Sequence, residues 1–255
     1  MDDLTCDAFL GGKLRIWQPR RGYRAGVDPV FLAAAVPAVP GQSVLELGCG
    51  VGTALLCLQA RVPGLALTGL ERQPDYAALA RRNAAETGAA IDIVTGDLAR
   101  MPKDLRDRQF DHVIANPPYL LRGGTAATEP GREAAVGEAT PLAVWIDAAL
   151  RRLAPKGHLT VIQRADRLPD LLAACDSRIG SLQVLPLAPR ADRAAELVIL
   201  RGRKGGGGGF RLLAPVILHR GDRHLRDGDD YAPEAQAILR DGAQLKVDRQ
   251  SSTDL

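Results

Sequence analysis

From Ser43 onward the chain alternates short apolar runs of strand length with longer stretches whose apolar positions recur every three or four residues. That alternation is expected of βαβ units in a parallel sheet. Strands are predicted at Ser43–Leu47, Ala66–Leu70, Ile91–Thr95, Asp111–Ala115, His158–Gln163, Ser181–Leu187 and Glu196–Arg201. Helices are predicted at Thr53–Arg61, Asp75–Thr87, Pro141–Leu153 and Arg167–Asp176, with Pro74 and Pro141 near two starts and Gly88 past one end. The last two strands are joined only by Ala188–Arg193, too little for a helical crossover, so they should pair antiparallel. The expectation is an α/β fold: a seven-stranded, mostly parallel sheet ending in an antiparallel hairpin, with helices on both faces.

The flanks change this picture little. Residues 1–40 form an N-terminal extension, read as a strand or hairpin followed by a helix from Asp28 that covers the sheet's ligand site. Asp28 reads equally well as a helix cap. Residues 41–255 form the main unit, so the chain is a single domain overall, with Gly205 to Gly209 as a flexible link. Hydrophobic residues make up 46% and charged residues 25%, the balance of a globular protein. The longest early apolar stretch, Val30 to Val39, is too short to span a bilayer, and Met1-Asp2-Asp3 is acidic, so neither membrane span nor secretory signal is expected. Cys6, Cys49, Cys57 and Cys175 lack metal or disulfide spacing, which fits reduced thiols in a cytoplasm and no metal. The net charge of +3 permits a nucleic-acid partner without demanding one.

Candidate chemistry sits at strand ends. Glu46-x-Gly48-x-Gly50-x-Gly52 falls where the first core strand should turn into a helix, and its glycines allow backbone N–H groups to approach a ligand. Its spacing departs from the dinucleotide fingerprint and favours a nucleoside without a pyrophosphate. Glu71 ends the second strand about 20 residues further on, where such folds place an acid on ribose hydroxyls. Asp97 follows the third strand, where its carboxylate could accept from an exocyclic adenine amine. Each acid alone reads equally well as a cap or turn residue; three at consecutive strand ends beside a glycine loop point to one crevice.

The fourth strand runs into Asn116-Pro117-Pro118-Tyr119. Two prolines fix φ and remove two donors, leaving a rigid turn whose carbonyls and Asn amide face outward beside a flat ring. Asn116 Oδ1 and the Pro117 carbonyl are placed to accept both N–H groups of a planar amine, with Tyr119 stacking on its ring. A rigid structural turn is the competing reading.

On these motifs the chain resembles the class I S-adenosylmethionine-dependent methyltransferases, which share a Rossmann-like sheet. The resemblance implies that the Gly48–Gly52 loop holds the methionyl end of S-adenosylmethionine, Glu71 the ribose hydroxyls, and Asp97 with the Leu98 backbone the adenine, with Glu46, Arg72 and Asn116 also on the cofactor and Asn116 facing the acceptor. The stretch Leu10 to Asp28 and the segment Tyr231 to Arg240 further resemble the bacterial tRNA(Val) adenine-37 N6-methyltransferase family. That implies RNA, a tRNA anticodon-loop adenine, as acceptor, with Arg20, Arg24, Pro118, Tyr119 and Arg122 on the substrate side. The tetrapeptide also occurs in enzymes that methylate DNA, ribosomal RNA or the glutamine amide of release factors, and a catalytically silent RNA-binding module would keep the same fold. No histidine shows catalytic spacing, and Trp17, Trp145 and Phe110 read more readily as core than as stacking residues.

Overall fold

In a computed structural model, which describes residues 3–118, 140–221 and 230–247, the chain opens with an antiparallel hairpin. Its strands β1 (Leu4–Phe9) and β2 (Leu14–Pro19) pair from Leu4 opposite Pro19 to Phe9 opposite Leu14. Helix α1 (Asp28–Ala35) follows and buries every residue after Asp28. Val27 stands at its cap position and no side chain caps it, so Asp28 opens the helix rather than capping it.

The main sheet alternates as expected: β3 (Ser43–Leu47), α2 (Thr53–Arg61), β4 (Ala66–Glu71), α3 (Pro74–Thr87), β5 (Ile91–Thr95), α4 (Lys103–Arg106), β6 (Phe110–Ala115), α5 (Leu142–Arg152), β7 (Leu153–Arg164), α6 (Leu168–Ala173), β8 (Ile179–Ala188) and β9 (Leu197–Lys204). The spatial order from one edge is β5-β4-β3-β6-β7-β9-β8. The first five pair parallel, and β9 lies antiparallel between β7 and β8. Two-residue strands β10 (Arg211–Leu212) and β11 (Val216–Ile217) then add parallel to the β8 edge, giving nine strands instead of seven. They are too short to carry a periodicity in sequence.

The glycine run is not a linker. Gly205 and Gly206 donate to the Arg178 and Arg203 carbonyls, and the Gly208 N–H reaches Ser181 Oγ at 2.9 Å. A Cβ on Gly180 would collide with the Gly206 carbonyl, so glycine on both sides is what lets the run lie flat on β8. A final helix α7 (Pro233–Gln236) and the wide turn Ala237–Asp241 return to α1, and Leu245 donates to the Ala34 carbonyl at 2.9 Å.

Alternating strand residues feed two cores. Ile114 joins Phe31, Leu55 and Ile162 on the face covered by α1 to α3, while Val113 and Ala115 join Leu105, Ile146 and Leu171 on the face covered by α4 to α6. Leu10, Leu14 and Ile16 of the hairpin belong to the first core, so the extension is built into the same domain. Among the described residues no helix is long and apolar enough to cross a membrane, and no group of His, Cys, Asp and Glu is suited to a metal ion.

Candidate active site

β3 has β4 on one side and β6 on the other, so successive crossovers leave it in opposite directions. In open α/β sheets a ligand crevice forms at the carboxyl ends of strands at such a switch. A cleft of about 1040 Å³, its open mouth included, lies there, with Glu46, Gly50, Glu71, Asp97 and Asn116 in its walls.

The floor is the glycine loop. Gly48, Gly50 and Gly52 adopt φ of 65°, 55° and 85°, a region that side chains other than glycine rarely enter. At Gly48 space decides as well, since a Cβ there would lie 2.5 Å from the Trp145 ring. The Asn83 amide, fully buried on α3, donates to the Val51 carbonyl at 3.0 Å and pairs with both backbone groups of Trp17. One side chain thus ties the hairpin to the loop.

The acids play unequal parts. Glu71 Oε2 accepts from the Gly50 N–H at 2.9 Å and Oε1 from the Gln73 N–H at 2.8 Å, which leaves a lone pair free on each oxygen. Asp97 Oδ1 takes the Ala99 N–H at 2.8 Å, so it caps a short turn while facing the cleft. Glu46 is 3% exposed, and its Oε2 has no partner. Burial first, then the nearby Glu71 carboxylate, push its carboxyl well above the usual range; a backbone bond from Leu55 opposes this. Two buried carboxyl groups with an unpartnered oxygen form a site that a cationic ligand would relieve. A ligand carrying both a sulfonium and an ammonium fits it.

Asn116 closes the cleft from the end of β6, its Nδ2 3.3 Å from the Tyr23 hydroxyl. Pro118 also lines the cleft, whereas Pro117 is buried and its carbonyl accepts from Gln163 Nε2 at 3.3 Å. Cys49 lines the cleft too, but burial raises its thiol well above its ordinary value, so it offers no nucleophile.

Comparison with known proteins now bears on this cleft. A methyltransferase domain family matches residues 44–124, from β3 to just past the proline turn. The tRNA1(Val) (adenine(37)-N6)-methyltransferase of Porphyromonas gingivalis is 30% identical over 197 residues, 72% of this chain and 77% of that protein. The like-named protein of Dickeya chrysanthemi is 29% identical over 243 residues, 93% and 94% of the two chains. The chain belongs to this family. It is a class I S-adenosylmethionine-dependent methyltransferase. A Geobacter sulfurreducens release factor glutamine methyltransferase is 34% identical, but over 102 residues, 35% of its length. A crystal structure of a predicted O-methyltransferase from Agrobacterium tumefaciens superposes with a TM-score of 0.69 at 27% identity, covering 86% of this chain and 98% of that one.

The methyltransferase cleft gathers Glu46, Gly48, Gly50, Glu71, Arg72, Asp97, Leu98, Asn116 and Pro118 in its lining. Gly52 stands behind, at the cap of α2. Tyr119 and Arg122 lie outside the described residues. Arg20 is exposed and outside the cleft lining. Arg24 is engaged within the extension: it pairs with Asp7 at 2.6 Å and donates to Thr5 Oγ1 and the Pro19 carbonyl. Sequence reasoning passed over Tyr23, Tyr76 and Gln163, whose roles depend on contacts distant in sequence. Trp145, read as core, is 7% exposed yet also lines the cleft; Phe110 is core, and Trp17 is half-buried, donating to Glu86 under the Arg82 guanidinium. His112, His158 and His219 lie outside the cleft lining, and His224 outside the described residues.

Proposed function

We propose that this enzyme methylates N6 of adenine in RNA, with a tRNA anticodon-loop adenine as its substrate. The observation that carries the reading is the position of Asn116, at the rim of a cleft suited to the cofactor and on a turn whose Pro117 carbonyl is held by Gln163. Relatives matched along nearly the whole chain, named for tRNA adenine methylation, support the substrate; the release-factor relative matches over 102 residues, 40% of this chain.

Bound S-adenosylmethionine supplies a methyl group already activated on a sulfonium. The chain's task is alignment. Gly48 to Gly52 and Glu46 hold the charged end, Glu71 and Arg72 the ribose, and Asp97 with Leu98 the adenine. Asn116 Oδ1 and the Pro117 carbonyl accept from the two N–H groups of the acceptor amine, drawing its lone pair out of the ring. Tyr119 stacks on the base, and Arg20 and Arg122 meet phosphates. The proton leaves to water after transfer, so no general base is needed.

Incubation with labelled cofactor and separate pools of tRNA, ribosomal RNA, DNA and release factor tests this. Label is expected in tRNA as N6-methyladenine; label confined to release factor would overturn the RNA reading.

A further inference from the structure

The acceptor amide needs more than a rigid turn. An Asn side chain presents a carbonyl on one edge and an NH2 on the other, and only the carbonyl edge can accept from an amine. In the wrong orientation Asn116 would oppose donor to donor. Something must fix its rotation.

The Tyr23 hydroxyl, 3.3 Å from Asn116 Nδ2, is that partner. A phenol can donate or accept, so its surroundings decide. Although Tyr23 is 41% exposed as a whole, desolvation of its hydroxyl first, then the Asp28 and Glu46 carboxyl groups, push the phenol above its ordinary range and keep it protonated. A neutral phenol keeps lone pairs on its oxygen and can accept from an N–H donor. Tyr23 is itself fixed. The Tyr76 hydroxyl accepts from the Tyr23 N–H at 3.0 Å and donates to its carbonyl at 3.1 Å, and Tyr76 is 8% exposed on α3. Gln18 Oε1 takes the Ala25 N–H at 2.8 Å, holding the far side of the same turn. The Tyr23 ring leans over the glycine loop, near enough that a Cβ on Gly50 would touch it at 3.8 Å.

We propose that Tyr23 is a positioning residue for methyl transfer: by accepting from Asn116 Nδ2 it turns Asn116 Oδ1 toward the acceptor amine. This rests on the acceptor reading above. The N-terminal extension, outside the matched methyltransferase domain, thereby completes the acceptor site. Because the Tyr23 hydroxyl acts through Asn116 while the ring lines the cleft, loss of the hydroxyl alone lowers the rate of transfer and leaves binding intact.

The test compares wild type, Tyr23→Phe, Asn116→Ala and the double variant, using unmodified tRNA transcripts. Single-turnover rates at saturating S-adenosylmethionine and the affinity for S-adenosylhomocysteine are measured. Tyr23→Phe should slow transfer about tenfold, the worth of one hydrogen bond, and leave both the cofactor-product affinity and the half-saturating tRNA concentration within about twofold. In the Asn116→Ala background it should slow nothing further. An unchanged rate, an equal loss in that background, or a loss confined to binding would overturn the assignment. Should wild type methylate no tRNA, the substrate reading fails and the Tyr23 assignment is judged on the Asn116 side-chain amide NMR signals with S-adenosylhomocysteine bound. These must shift in Tyr23→Phe; unchanged signals overturn it.

Discussion

Gln163 Nε2 donates to the Pro117 carbonyl at 3.3 Å, so a side chain 1% exposed on β7 holds the backbone of the acceptor turn on β6. Gln163 Oε1 accepts from the Arg164 N–H at 2.9 Å, which fixes the amide's orientation. One lone pair of the Pro117 carbonyl is therefore taken. Gln163→Leu, close in volume, frees the turn and removes the side-chain oxygen that accepts from the Arg164 N–H. Destabilisation of about 1–2 kcal/mol in urea unfolding is expected, with methyl transfer falling at least tenfold at unchanged cofactor affinity. Gln163→Glu should fold but oppose a carboxylate to the carbonyl. A Gln163→Leu variant with wild-type turnover would show that the turn holds itself.

Glu46 gives a pH dependence with a definite sign. Its carboxyl is pushed well above the usual range in the free protein by burial and by Glu71, so it gives up its proton at a higher pH than an ordinary carboxyl. A cationic cofactor favours the carboxylate. Binding of S-adenosylmethionine should therefore release a proton and tighten as pH rises above the ordinary carboxylate range, until Glu46 is ionised in the free protein. Titration calorimetry in two buffers of different ionisation enthalpy measures the proton count. In Glu46→Gln the release should vanish and affinity drop about tenfold, while the free protein melts higher because an unpartnered buried acid is gone. Buffer-independent heats in the wild-type protein would remove Glu46 from this role.

The sequence and structure agree where one local signal suffices. The Gly48–Gly52 loop was legible because its conformation requires glycine, and the core strands because their buried runs stop at polar turns. Asp97 shows the limit of such reading, since it both caps a turn and faces the cleft. Tyr23 and Gln163 were not legible: their partners Asn116 and Pro117 lie 93 and 46 residues away, and neither type is diagnostic in isolation. The partners of several basic residues are not legible in sequence for a related reason. Arg81 donates to the Ile93 carbonyl, Arg152 to the Arg108 carbonyl and Lys204 to the Leu150 and Leu153 carbonyls, so these charges satisfy strand and helix ends.

His112 should govern stability in mild acid. It is 2% exposed beneath the sheet, its Nε2 pairs with Gln42 Oε1 at 2.8 Å and its ring stacks on His158. Burial first, then His158, lower its pKa to about 4. The unfolded chain takes up a proton near the ordinary value of about 6.5 while the folded one refuses it, so stability is full above that pH and declines as pH falls toward 4. The decline is about 3 kcal/mol in total. Urea unfolding at pH 7, 6 and 5 should show this slope, and His112→Gln, which does not titrate, should flatten it. Equal slopes in both proteins would assign the acid sensitivity elsewhere.

Gly48 and Trp145 form a fitted pair across the cleft floor. With φ at 65° and the Trp145 ring 2.5 Å from where a Cβ would sit, Gly48→Ala meets two penalties at once. Backbone strain in the left-handed region contributes about 1 kcal/mol, and displacing a packed indole about 1–3 kcal/mol more. Only the second can be relieved from outside. Trp145 is 7% exposed and lines the same cleft, so pushing it aside alters the wall that holds the cofactor as well as the core beneath. Gly48→Ala should therefore lower the melting temperature and weaken S-adenosylhomocysteine binding by at least tenfold. Adding Trp145→Leu should recover part of the lost stability relative to Trp145→Leu alone, the strain at φ remaining. Measured as a double-mutant cycle, a coupling near zero would mean that the loop tolerates the clash by moving away from Trp145, and that glycine is required at position 48 for its backbone conformation only.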